Sequence, residues 1–245
     1  MRAVRRGPAR EDPHVREQSR PPTRGRMWCE VLSVGAWRVD ARPSFRLILA
    51  WLVTTLAILA CEQPPQLSRL GDGDTIVAFG DSLTQGNGTS EELAYPAVLS
   101  RLIKHTVINA GASGETTAEG LERLPDVLEE QHPKLVLLCL GGNDMLRKLD
   151  PAVMESNLRS MIQTIRAHGS SVVLIGVPEP KLFSGPPPLY KKLANEFNLP
   201  YEGEVFNQVL KTPRLKSDPI HANAEGYRVV AERLAELLKE TGAIQ

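Results

Sequence analysis

Aromatic side chains are scarce in this sequence: five Phe, four Tyr and three Trp make up 5% of 245 residues. So few flat rings leave little from which to build base-stacking platforms. Net charge is lacking as well, because 29 Lys+Arg balance 29 Asp+Glu. That balance hides a split. Residues 1–60 hold 11 basic and 5 acidic side chains, which leaves 18 and 24 for residues 61–245. A mildly acidic second part carries no electrostatic footprint for nucleic acid. Cysteine is limited to Cys29, Cys61 and Cys139, which form no readable disulfide framework. Cys139 lies inside the apolar run Leu135–Leu140 and reads as a small buried hydrophobe. No His, Cys, Asp or Glu cluster has metal-ligand spacing, so neither a metal nor another cofactor is expected. Repeats are absent too.

What is present divides by composition. Residues 1–45 are rich in Arg and Pro, show no sustained apolar period, and are expected to form a disordered leader. Residues 46–61 read as a signal peptide. Arg42 and Arg46 precede an apolar run of about 14 residues, Leu47–Ala60, which is short for a membrane span and right for an h-region. Ile58-Leu59-Ala60-Cys61 resembles a bacterial lipobox, in which the cysteine takes lipid and becomes the new N-terminus. Leu59 is bulkier than the residue usual at its position. Three readings stay open, in decreasing weight: a lipoprotein tethered through Cys61, plain cleavage near Ala60, and an uncleaved anchor. The expected location is the bacterial cell envelope, periplasmic or held to a membrane by lipid. About 40 residues stand before the signal, so translation is expected to start later, near Val39. Peptides from residues 1–35 in a cellular digest would overturn that expectation. Residues 62–74 are polar with two prolines and read as a linker.

From Thr75 onward, strands and helices alternate. Thr75–Phe79, Thr106–Ala110, Lys134–Leu140 and Ser171–Val177 read as strands, with a short extended piece near Pro200–Tyr201. Tyr95, Val98, Leu99, Leu102 and Ile103 follow the helical period, and Pro96 suits the first turn of that helix. Helical segments are expected up to Gln131. Asp150 caps a helix that has Pro151 at its first position, a stripe from Met154 to Ile165 and a stop at Gly169. Further helices are expected from Leu189 to Asn198 and from Glu204 to Leu210. Asn223 caps the last one. Such alternation predicts a parallel sheet with helices on both faces, in one domain over residues 75–245.

The loops after these strands carry the chemistry. Gly80-Asp81-Ser82-Leu83 follows the first strand, at the end of the sheet where open α/β folds place their sites. Taken alone, Ser82 is more often a helix cap than a nucleophile. A serine hydroxyl also needs a base, and His is the base whose pKa lies near neutrality. Of five histidines, only His221 has a carboxylate three residues earlier, Asp218. That carboxylate can fix the imidazole tautomer. His14 lies in the leader, while His105, His132 and His168 sit at helix–strand junctions. Acyl transfer also needs oxyanion donors. The candidates are the Ser82 and Gly114 backbone amides and the Asn143 side chain. Gly114 alone reads as a turn residue and Asn143 alone as a cap. Their joint placement is what argues for one site.

Gly80-Asp81-Ser82-Leu83, Ala112-Ser113-Gly114-Glu115-Thr116, Gly141-Gly142-Asn143-Asp144 and Asp218-x-x-His221 resemble, in order, the four blocks of the SGNH (GDSL) hydrolase family. The resemblance covers about residues 74–240 and is strongest to the bacterial thioesterase I/lysophospholipase/arylesterase group. It implies an α/β fold of three layers, flavodoxin-like, with a five-stranded parallel sheet. It also implies Ser82 as nucleophile, His221 as base, Asp218 as its orienting partner, and an oxyanion hole of Ser82, Gly114 and Asn143. Pro219 stands where Gly is common, and Ala222 where Pro is common. Thr84 replaces the second Gly of a Gly-x-Ser-x-Gly elbow, which argues against an α/β-hydrolase. The expected activity is hydrolysis of acyl, aryl or lysophospholipid esters or of thioesters, so the partner is a small ester or lipid substrate. Met145, Leu146, Leu182 and Phe183 are candidates to line an acyl pocket, with ordinary loop packing as the equal alternative. Two rival functions remain, a carbohydrate O-acetylesterase of the envelope and a non-catalytic envelope-binding lipoprotein.

Overall fold

A computed structural model describes residues 65–180 and 184–245. The leader, the signal segment, Cys61, Leu182 and Phe183 lie outside the described residues.

Five strands build one parallel sheet: β1 (Thr75–Gly80), β2 (Thr106–Gly111), β3 (Leu135–Cys139), β4 (Ser171–Ile175) and β5 (Tyr201–Glu202). Their order is β2-β1-β3-β4-β5, the flavodoxin-like order. Phe79 lies level with Ala110 on one side and Leu138 on the other. All five residues of β3 are buried, as its unbroken apolar run requires for a strand covered on both faces. The order reverses at β1 and β3, so the loops after these two strands open a crevice at their carboxyl ends.

The longer helices are α2 (Tyr95–Ile103), α3 (Thr117–Gln131), α5 (Pro151–Ala167), α6 (Pro188–Glu196) and α8 (Ala224–Glu240), with short α1 (Ser82–Gln85), α4 (Gly142–Leu146) and α7 (Val205–Lys211) between them. Helix α2 packs on α8, and α3 packs on α5. Right-handed crossovers put these two pairs on opposite faces of the sheet, giving three layers. The caps are local: Asp150 Oδ1 accepts the Ala152 amide at 2.8 Å, and Asn223 Oδ1 accepts the Gly226 amide at 3.0 Å. The stretch expected to hold helical segments is one helix, α3, which continues through Pro125. Strand β4 stops at Ile175, two residues before the expected end.

The linker expected over residues 62–74 is docked along its described part. The Leu67 and Leu70 amides donate to the carbonyls of Thr241 and Ala243, both at 2.9 Å, and the Leu70 side chain is buried in the core. Two leucines in six residues were too short a pattern to reveal a period, but enough to bind this segment to the domain's C-terminal end.

Candidate active site

Ser82 opens α1, where the chain leaves β1. Asp81 caps this helix, its Oδ1 accepting the Leu83 amide at 3.0 Å. First-turn amides have no intrahelical acceptor, and among the described residues the Ser82 amide has none elsewhere. The turn is tight. A Cβ on Gly111 would come within 2.1 Å of the Gln85 backbone nitrogen, so only glycine lets α1 sit directly on the end of β2.

His221 comes from a loop between residue 216 and α8, pinched by a bridge between Lys216 and Ala222. Asp218 organises it. Its Oδ1 accepts the Ile220 and His221 amides, both at 2.8 Å, and its Oδ2 lies 2.7 Å from His221 Nδ1. Pro219 has no N–H, and the carboxylate passes over it to the next two amides, so this substitution leaves the Asp–His pair intact. His221 Nε2 stands 3.0 Å from Ser82 Oγ, across 139 residues of sequence. The imidazole is 15% exposed and the carboxylate 44%. Partial burial pushes the Asp218 pKa up, but the hydrogen bonds from the His221 ring and from the Ile220 and His221 amides outweigh it and hold the group below the usual carboxylate range.

Asn143 is the second residue of α4. Its Nδ2 donates to the Glu115 carbonyl at 2.9 Å and lies 3.4 Å from Asp81 Oδ2. Gly114 takes φ +80°, the left-handed region that suits glycine. Its carbonyl accepts from Arg147 at 2.7 Å, while among the described residues its amide has no acceptor.

Several supporting residues escaped the sequence analysis. The Asp144 carboxylate accepts both the amide and the hydroxyl of Thr117, at 2.8 and 2.6 Å, joining the Asn143 loop to the start of α3. Arg123 grips the buried Glu115 carboxylate with two bonds of 2.6 and 2.7 Å, donates to the Ala110 carbonyl at 3.0 Å, and lies 4.2 Å above the Phe79 ring. Glu115 and Asp144 belong to the recognised blocks, which was the available signal. Arg123 had none. Asp81 is buried beside Ser82. Loss of water raises its pKa to about 7, the Leu83 amide and His221 oppose this, and the Glu115 and Asp144 charges reinforce it.

Ser82, Asn143 and His221 border a cavity of about 440 Å³, walled by Leu146, Val177, Pro178, Leu210 and Ile220, with Lys211 and Lys216 on its lining. Of the four apolar residues expected there, Leu146 lines it. Met145 instead packs against the core. Leu182 and Phe183 are outside the described residues. The walls at Leu210 and Ile220 come from α7 and the histidine loop, which only the fold brings near Ser82. Among the described residues, no three His, Cys, Asp or Glu side chains converge to hold a metal ion.

The model of the GDSL-like lipase/acylhydrolase family matches residues 78–229, which contain all four blocks and both ends of the hydroxyl–imidazole–carboxylate line. The chain belongs to this family. Among the GDSL-like proteins it resembles, thioesterase 1/protease 1/lysophospholipase L1 of Escherichia coli K12 is 34% identical over 182 residues, or 70% of this chain and 86% of that one. The arylesterase of Vibrio mimicus is 35% identical over 67% of this chain and 88% of its own length. The crystal structure of TesA matches with a TM-score of 0.57 at 30% identity, covering 69% of this chain and 97% of that one.

Proposed function

We propose that Ser82, His221 and Asp218 are the catalytic triad of this GDSL-like enzyme, a serine hydrolase acting on carboxylic esters or thioesters. The observation that carries the assignment is the continuous line of contacts, 2.7 Å from carboxylate to Nδ1 and 3.0 Å from Nε2 to the hydroxyl. Asp218 fixes the tautomer with hydrogen on Nδ1, which leaves Nε2 as the acceptor. The Nε2 lone pair takes the Ser82 proton as Oγ attacks the carbonyl carbon. The imidazolium that forms faces a carboxylate held ionised by its own amide donors. The developing oxyanion meets the Ser82 and Gly114 amides and the Asn143 amide, which keeps its hydrogen bond to the Glu115 carbonyl and turns its other hydrogen from the long contact with Asp81 Oδ2 to the oxyanion. Each such donor is worth about 10²–10³ in kcat. His221 then protonates the leaving alcohol or thiol. Water repeats the sequence on the acyl-enzyme, freeing the acid and Ser82.

The apolar walls of the 440 Å³ cavity suit an acyl chain longer than acetyl. Hydrolysis of p-nitrophenyl esters from acetate to palmitate tests both points. The expected result is a kcat/KM that rises into medium chains and is lost in Ser82→Ala. Activity confined to acetate would move the assignment to a carbohydrate O-acetylesterase. Equal rates in the two proteins would leave a binding module.

The location we propose is the bacterial envelope, with the domain tethered through lipid on Cys61. Among the described residues no helix is long and apolar enough to cross a membrane, so a tether has to come from the preceding segment. Metabolic labelling with palmitate that persists in Cys61→Ser would exclude it.

A further inference from the structure

His221 borders a second cavity. It holds about 660 Å³ and is lined on the Asp218 side by Gln85, Asn87, Thr89, Glu91, Asp218 and His221 over a floor that includes glycines. Its chemistry is opposite to that of the cavity beside Ser82. Among the described residues its lining has no Lys or Arg and no aliphatic or aromatic wall, but two carboxylates and several side-chain amides.

The walls of this cavity are held in place from several sides. The Asn87 side chain donates to Ser113 Oγ at 2.9 Å, and its carbonyl accepts the Tyr227 hydroxyl at 2.8 Å. The Asn109 side chain donates to the Gln85 carbonyl at 3.2 Å and accepts the Gly111 amide at 3.0 Å. A Cβ on Gly88 would meet Ser217 Oγ at 2.2 Å, so this rim is closed against the histidine loop. The Gln85 side chain itself is exposed.

We propose that this second cavity is the leaving-group subsite and that the alcohol it takes is a neutral polyol. The proposal rests on Ser82 and His221 acting as assigned above. In the acylation step the bond from Ser82 Oγ to the carbonyl carbon forms and the ester C–O bond breaks. The serine proton passes through His221 Nε2 to the departing oxygen. The departing group must therefore lie against the imidazole, on the side the acyl chain does not use. The apolar cavity beside Ser82 and Asn143 takes the acyl chain. The polar one across His221 remains for the alcohol. Each polyol hydroxyl both donates and accepts, which amides, a threonine hydroxyl and carboxylates satisfy together. Glu91, with no Lys or Arg on the described lining, repels a phosphate or carboxylate on the leaving group, whereas the Asp218 charge is shared with the His221 ring. A bare phenol or methyl group would leave these polar walls without partners.

Three butyrate esters that differ only in the alcohol test this in the full chain: methyl, glycerol and glycerol 3-phosphate. The expected kcat/KM is about 10-fold higher for the glycerol ester than for the methyl ester, and about 10-fold lower again when the phosphate is added. Gln85→Leu is expected to lower the glycerol-to-methyl ratio about 10-fold, and Glu91→Gln to narrow the penalty for phosphate. Equal values for methyl and glycerol esters in the native enzyme, a phosphate ester hydrolysed as fast as the glycerol ester, or a ratio unmoved by Gln85→Leu would each overturn the subsite. The triad would still stand if turnover disappeared in Ser82→Ala. Turnover of none of the three esters would overturn both assignments.

Discussion

Asp81 shows how a single carboxyl can be costly to the fold that needs it. Its pKa is raised to about 7 from 3.8 by burial first of all. The native state therefore holds this proton more tightly than the unfolded chain does. Stability is full below the unfolded value and declines as pH rises from about 4 to about 7. Between pH 5 and pH 8 the loss attributable to this group is on the order of 3 kcal/mol. Asp81→Asn keeps an oxygen for the Leu83 amide and loses the titration. Urea unfolding at pH 5 and pH 8 should show a smaller drop in the variant than in the parent. A second expectation concerns Asp218, whose carboxylate is 44% exposed. Water can partly replace it, so Asp218→Asn should lower kcat about 100-fold, less than the ~10⁴ typical of a buried triad aspartate. At this scale the sequence was legible where chemistry is compressed into short blocks: Asp218 and His221 are three residues apart, and their contact follows from that spacing. Leu210 and Ile220 were not legible as cavity walls, because nothing in a local window says which distant loop they face.

At the scale of elements, the start of α3 carries the loop of the proposed oxyanion hole. Its Thr116 cap receives the Glu119 amide at 3.4 Å, and Glu119 returns the bond to the Thr116 amide at 2.7 Å. Asp144 holds Thr117 from across the crevice, and Arg123 holds Glu115 from within the helix. The Glu115 side chain is only 7% exposed. Arg123→Ala leaves that carboxylate buried without its partner, which should cost about 3 kcal/mol in chemical denaturation and lower kcat through Asn143, which leans on the Glu115 carbonyl. Arg123→Lys should recover less than half of this, because a point charge cannot match two parallel bonds. The periodic helices α2, α5 and α8 were readable to within a residue or two, since caps and apolar stripes lie in the local sequence. The clamp was not, because an arginine on a half-polar helix looks like any solvated one until Phe79 and Glu115 are placed beneath it.

At the scale of the whole molecule, alternation of strand and helix already implied the layered architecture. The docking of residues 67–70 was not legible for a physical reason: a short segment that borrows its hydrogen bonds from the far end of the chain carries no period of its own. Leu70 is 6% exposed and bound to Ala243 through its amide. Leu70→Ala should therefore destabilise the domain by about 2–3 kcal/mol in urea unfolding, as a core leucine would and a linker leucine would not. The chain order of the site has its own consequence. Ser82 and His221 meet only through one contact that spans 139 residues. At synthesis rates of about 5–20 residues per second, the ribosome makes the proposed nucleophile on the order of ten seconds before its proposed base exists. Under the proposed triad, a nascent chain is thus chemically silent. With His221 as the proposed base, hydrolysis begins only when the last helix closes behind the histidine, so the enzyme is switched on by the completion of its own folding.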